Sequence, residues 1–73
     1  MYLCGDVEAM LGARDGDVRV FFPDGDARLS PMQGGYSGAL GERLVEFIPS
    51  LDGRTAILSV SEHPAYPPCE RLP

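Results

Sequence analysis

A chain of 73 residues is one small domain, near the size at which a single core is only marginally sufficient and a staple, a metal or a partner subunit often helps. With 44% hydrophobic residues it is too apolar to be disordered, and no apolar run approaches the ~20 residues of a membrane span. Eleven Asp and Glu against six basic residues, all of them Arg, give a net charge of −5, which argues against direct binding of DNA or RNA and for a partner with a basic surface.

The amino terminus, Met1 to Asp6, has neither a basic region nor a long apolar run, so a cytosolic setting is expected. In that setting Cys4 and Cys69 are expected as free thiols; in an oxidising compartment they would close one long loop.

From Val7 to Leu29 the pattern is that of two hairpins. Asp15-Gly16 and Asp24-Gly25 each sit between alternating apolar residues, the strongest short-range hairpin signal. Two-residue loops there predict Arg14 opposite Asp17, Ala13 opposite Val18, Leu11 opposite Val20 and Ala9 opposite Phe22. They further predict Phe22 opposite Ala27 and Val20 opposite Leu29. Both turns select the same apolar face, which is the main argument for the fold. The segment Val7–Ala13 also suits a helix capped by Asp6; its register match with Val18–Phe22 favours a strand.

Ser30 to Gly41 holds four glycines and a proline and is expected to be a flexible loop. Met32 and Tyr36 on it are candidate recognition residues, with the alternative that Tyr36 tucks onto the core. The run Gly34-Gly35-Tyr36-Ser37-Gly38 satisfies neither a P-loop nor a dinucleotide pattern. A third turn, Asp52-Gly53, pairs Ile48 with Ile57, Phe47 with Leu58, Val45 with Val60 and Arg43 with Glu62, giving strands at 42–48 and 55–61. The alternative is a helix over 37–48, since Leu40, Leu44, Phe47, Ile48 and Leu51 also fit a helical stripe.

That hairpin leaves Leu44, Ile48 and Ile57 on a second apolar face, which calls for cover by the tail, a second copy in a homodimer, or another protein. The tail, 63–73, is proline-rich and expected to be extended, with Tyr66 packed on the barrel. On the polar face of the first sheet, Phe21 beside Met10 is framed by Arg19 and Arg28, a composition that suits an interface.

The chemistry available is sparse. Cys4, His63 and Cys69 with Asp6 match no compact zinc motif, and neither Asp15/Asp17 nor Asp24/Asp26 continues into a calcium loop. No cofactor, metal or catalytic group is expected. The prediction is a mainly β domain of about five antiparallel strands, a hairpin meander resembling a small SH3-like barrel or sandwich in general outline. The alternative is α+β, one short helix on a four-stranded antiparallel sheet. The expected function is a non-catalytic protein–protein interaction module, in the form of a small acidic inhibitor such as viruses direct at nucleic-acid-handling proteins. The alternatives are a small nucleic-acid-binding barrel using Arg19, Arg28, Phe21 and Tyr36, or a structural assembly protein. The candidate interaction surface comprises Phe21, Arg19, Arg28, Met32, Tyr36, Leu44, Ile48, Ile57 and Tyr66.

Overall fold

The computed structural model describes residues 1–12 and 16–73. Eight strands run in sequence: β1 (Tyr2–Cys4), β2 (Val7–Leu11), β3 (Val18–Phe22), β4 (Gly25–Met32), β5 (Gly35–Leu40), β6 (Arg43–Pro49), β7 (Thr55–Val60) and β8 (Cys69–Arg71). Each pairs antiparallel with its neighbours in the chain, and β8 pairs back onto β1, closing a barrel. Closure leaves these strands no unpaired edge, which is the surest defence of a small β protein against edge-to-edge association.

Alternation builds the interior. In β7, Ala56, Leu58 and Val60 point inward while Thr55, Ile57 and Ser59 point out. The inside is filled mostly by small side chains, among them Ala9, Val18, Val20, Ala27, Val45 and Ala56, around the fully buried Phe47. Eight short strands enclose just enough width for side chains, so small residues on most strands leave room for one large ring. Tyr2 packs edge-on against Phe47 with ring centroids 5.2 Å apart, and its hydroxyl donates to the Gly53 carbonyl at 2.6 Å.

The antiparallel β class stands as expected, while the strand count rises from five to eight and no helix occurs among the described residues. The expected helix at 37–48 is instead β5 and most of β6. The expected loop at 30–41 is likewise regular: β4 runs on to Met32, Met32 pairs with Gly35, and β5 follows. Gly35 and Gly38 serve close backbone approach, and Gly34 and Gly41 take the positive φ of turns.

Two registers also differ. Val20 opposes Ala27 rather than Leu29, and Ala9 opposes Val20 rather than Phe22, a shift of two residues in each hairpin. In the second hairpin the cause is Pro23, whose fixed φ suits the first central position of a turn, so the loop is Pro23-Asp24 with Gly25 at its exit. A shift of two preserves parity, so the same residues still face inward. The expected pairs Ala13–Val18 and Arg14–Asp17, and the Asp15 half of the first turn, lie outside the described residues.

The third hairpin keeps its register, with Ile48 opposite Ile57 and Val45 opposite Val60. Its turn is longer than two residues. The Ser50 N–H donates to the Thr55 carbonyl at 2.8 Å, leaving Leu51 to Arg54 as the turn. The Asp52 carboxylate organises it, accepting from the Ser50 hydroxyl at 2.6 Å and the Arg54 N–H at 3.0 Å. Those two bonds hold its carboxyl below the ordinary aspartate range, the Ser50 hydroxyl contributing most.

The ends of the chain meet. Residues 69–71, expected as extended tail, form β8, and Cys4 is joined to Cys69 by a disulfide rather than left as a thiol. Tyr2 faces Arg71 and Leu3 faces Glu70, so the bridge is the next rung of the same ladder. With both thiols consumed, the zinc set considered from the sequence has no sulfur ligand. No helix among the described residues is long and apolar enough to cross a membrane.

Candidate functional site

A meander of four hairpins collects alternate turns at each end of the barrel. At one end lie Gly5-Asp6, Pro23-Asp24, Gly41-Glu42 and the longer link from Ser61 to Pro68. Each of these connections carries a carboxylate: Asp6, Asp24, Glu42 and Glu62. In sequence they fall 18, 18 and 20 residues apart, the period of one hairpin.

Together they rim a cleft of about 1120 Å³ at the barrel mouth. Its lining includes Val7, Leu40 and Val60 from the strands and the rings of Phe22 and Tyr66. Phe22, Leu40 and Tyr66 are partly buried against the core, so they form the floor while the acids stand exposed around it. Arg43 and His63 also line the cleft. Glu62 adopts φ of 59°, the sole left-handed non-glycine among the described residues, a conformation that is uncommon for a side chain of this kind.

Tyr66 is held there by the proline-rich link, whose Pro67 packs near Gly5. Its ring lies 6.2 Å from Phe22 at a tilt of 56°. On it stacks the His63 imidazole, nearly parallel at 4° with centroids 4.6 Å apart. Burial, with the charges of Asp6 and Asp24, pushes the Tyr66 phenol above the ordinary tyrosine value, against a smaller opposing pull from Arg43.

This yields a measurable result. In an alkaline titration Tyr66 should ionise later than free tyrosine, and Asp6→Asn with Asp24→Asn should recover part of the shift while burial keeps the rest. A raised phenol pKa favours the protonated folded form, so this contribution to stability is fully present below pH about 10 and is lost as pH rises through the folded value. Identical titration of Tyr66 in both proteins would mean that the two carboxylates do not face the phenol.

The residues singled out from the sequence occupy several places. Arg19, Phe21 and Arg28 lie outside on β3 and β4, where Phe21 opposes Glu8 and Asp26. Arg19 pairs with Asp26 at 3.1 Å and Arg28 with Asp17 at 2.5 Å, so both arginines already have carboxylate partners. Met32, Leu44, Ile48 and Ile57 are outward and exposed on β4, β6 and β7. Tyr36 turns inward, its ring 6.4 Å from Phe47. Tyr66 alone of the group reaches the mouth. Sequence reasoning missed Phe22, Leu40 and the carboxylates that surround them, although the recurrence of an acid beside a glycine or proline at Asp6, Asp24 and Glu42 was a usable signal. Compared with known proteins, the chain matches no family model, no curated protein and no solved structure.

Proposed function

We propose that this chain is a non-catalytic interaction module that docks a basic protein surface at the mouth of its barrel. The observation that supports this reading is the placement of a carboxylate on every connection around one end, above a floor of aromatic and apolar side chains. Opposite charge steers a basic partner to the mouth, and the floor supplies the desolvated contact that makes binding hold. A small acidic inhibitor of a nucleic-acid-handling protein is the form this would take. Such an inhibitor occupies the basic surface that nucleic acid would otherwise use. The cysteine bridge suits an oxidising setting better than the cytosol expected from the sequence.

The test uses an arginine-rich peptide as the basic probe and compares two neutralised variants by calorimetry. Replacing Asp6, Asp24, Glu42 and Glu62 by their amides should weaken binding by about tenfold or more. Amides at Glu8, Glu46 and Glu70, which lie on the outer wall, should cost only about two- to threefold through net charge. Equal losses from the two variants would remove the mouth as the docking surface. Firm retention of the wild-type chain on DNA at ~0.15 M salt would overturn the protein-binding reading itself.

A further inference from the structure

Resting on that reading, the geometry of the mouth points to the group it takes. We propose that it seats one guanidinium, the head of an arginine presented by the basic partner, flat on the Tyr66 ring in the place held by the His63 imidazole.

The stack of His63 on Tyr66 is the starting point. A planar, nitrogen-bearing ring already lies parallel to the phenol at 4.6 Å, so this face of Tyr66 is shaped for a flat group. His63 is exposed and lightly held. Its Nδ1 contacts the carbonyl of the adjoining Pro64 at 2.7 Å, a neighbour that moves with it, while Nε2 lies 3.4 Å from the Tyr66 hydroxyl. On leaving, the imidazole gives up its stack on Tyr66, one local bond and one long contact.

What replaces it must outcompete water in an acidic cleft. A guanidinium is planar, remains charged at every physiological pH and is more weakly hydrated than an ammonium, so it stacks on an aromatic face at lower cost. Its edge carries donors in a fork that fits carboxylates, and Asp6, Asp24, Glu42 and Glu62 line the same cleft. Phe22 and Leu40, partly buried in the floor beside Tyr66, receive the methylenes behind the head group. A phosphate or carboxylate ligand would meet four carboxylates against the single guanidinium of Arg43 at this rim.

Methylguanidinium is the probe, with N-methylurea as its neutral planar counterpart and methylammonium as its compact cationic one, each titrated while the Tyr66 and Phe22 ring resonances are followed by NMR. Saturable shifts at both rings with methylguanidinium, absent with the urea and weaker with the ammonium, are expected. Three outcomes overturn the assignment: equal response to the urea, equal response to the ammonium, or shifts that grow without saturation across the whole surface. Two variants sharpen it. Tyr66→Leu keeps apolar bulk and removes the platform, and should weaken binding about fivefold or more. His63→Ala alters an exposed side chain, vacates the platform, and should tighten binding about threefold. Unchanged or weaker binding by His63→Ala overturns the shared place even if Tyr66→Leu fails to fold. An arginine-rich peptide that depends on the four carboxylates yet binds Tyr66→Leu and His63→Ala like wild type overturns this inference and leaves the module reading standing. A peptide indifferent to those carboxylates overturns both.

Discussion

Reducing the Cys4–Cys69 bridge should lower the stability of the folded chain by about 4 kcal/mol, the entropy of closing a loop that spans nearly the whole sequence. The bridge has a sequence separation of 65 residues, so it restrains the unfolded chain almost as much as a single cross-link can. For a domain of this size that is a large part of the ~5 to 15 kcal/mol by which folded proteins exceed their unfolded states. The strand it fastens has little else. β8 makes two paired positions with β1 and two with β7, supported by the Arg71 and Leu72 N–H groups donating to Arg54 and Met1 carbonyls at 2.9 Å.

Urea unfolding of oxidised and reduced protein of identical sequence measures this without altering a side chain. Both cysteines are fully buried, so reduction should be carried out on unfolded protein, which is then refolded in reductant. With a slope of about 1 kcal/mol per M, the midpoint should fall by several molar. Amides of β1 and β8 should lose hydrogen-exchange protection before those of β3 to β6. A difference below about 1 kcal/mol would mean that strand pairing alone closes the barrel.

How much of this was legible in the sequence depends on which signals had a single meaning. Ile48 opposite Ile57 was legible because the four-residue turn is centred on Asp52-Gly53, so a two-residue guess at that centre gives the same register. In the second hairpin, Pro23 and Gly25 flank Asp24 and compete for the turn. Alternation alone cannot resolve a shift of two, because parity is unchanged. β1 and β8 are three residues each, too short to display a period; what betrayed them was a cysteine near each end, a signal that free thiols would also give. The outward placement of Leu44, Ile48 and Ile57 followed from register and holds. The mouth did not follow, because it is built from four connections remote in sequence and only closure of the sheet brings Asp6, Asp24, Glu42 and Glu62 around one opening.

Gly38 was the most misleading residue, and its replacement is the second large effect. Among Gly34, Gly35 and Gly41 it reads as part of a mobile loop, yet it lies inside β5. A Cβ there would press into the Arg28 carbonyl oxygen and meet the Leu29 side chain at 2.8 Å. The glycine lets β4 and β5 approach closely enough for the sheet to coil shut. Gly38→Ala therefore brings two effects into opposition. Alanine restricts the unfolded chain and by itself would stabilise a strand position by about 0.4 to 1 kcal/mol. Against that, the obstructing atom is backbone, and the fully buried Leu29 beside it has no space to retreat into. Overpacking of this kind costs about 3 kcal/mol and exceeds the entropic gain. Gly41→Ala is the matched control: nothing lies within 4 Å of its would-be Cβ, and only its φ of +62° opposes substitution, a cost of about 1 to 2 kcal/mol. Thermal unfolding of the two variants should rank Gly38→Ala clearly below Gly41→Ala. Equal stability, or a gain at Gly38, would show that β4 and β5 can separate without opening the barrel, and the glycine-rich stretch would then be the pliant connection that its composition suggests.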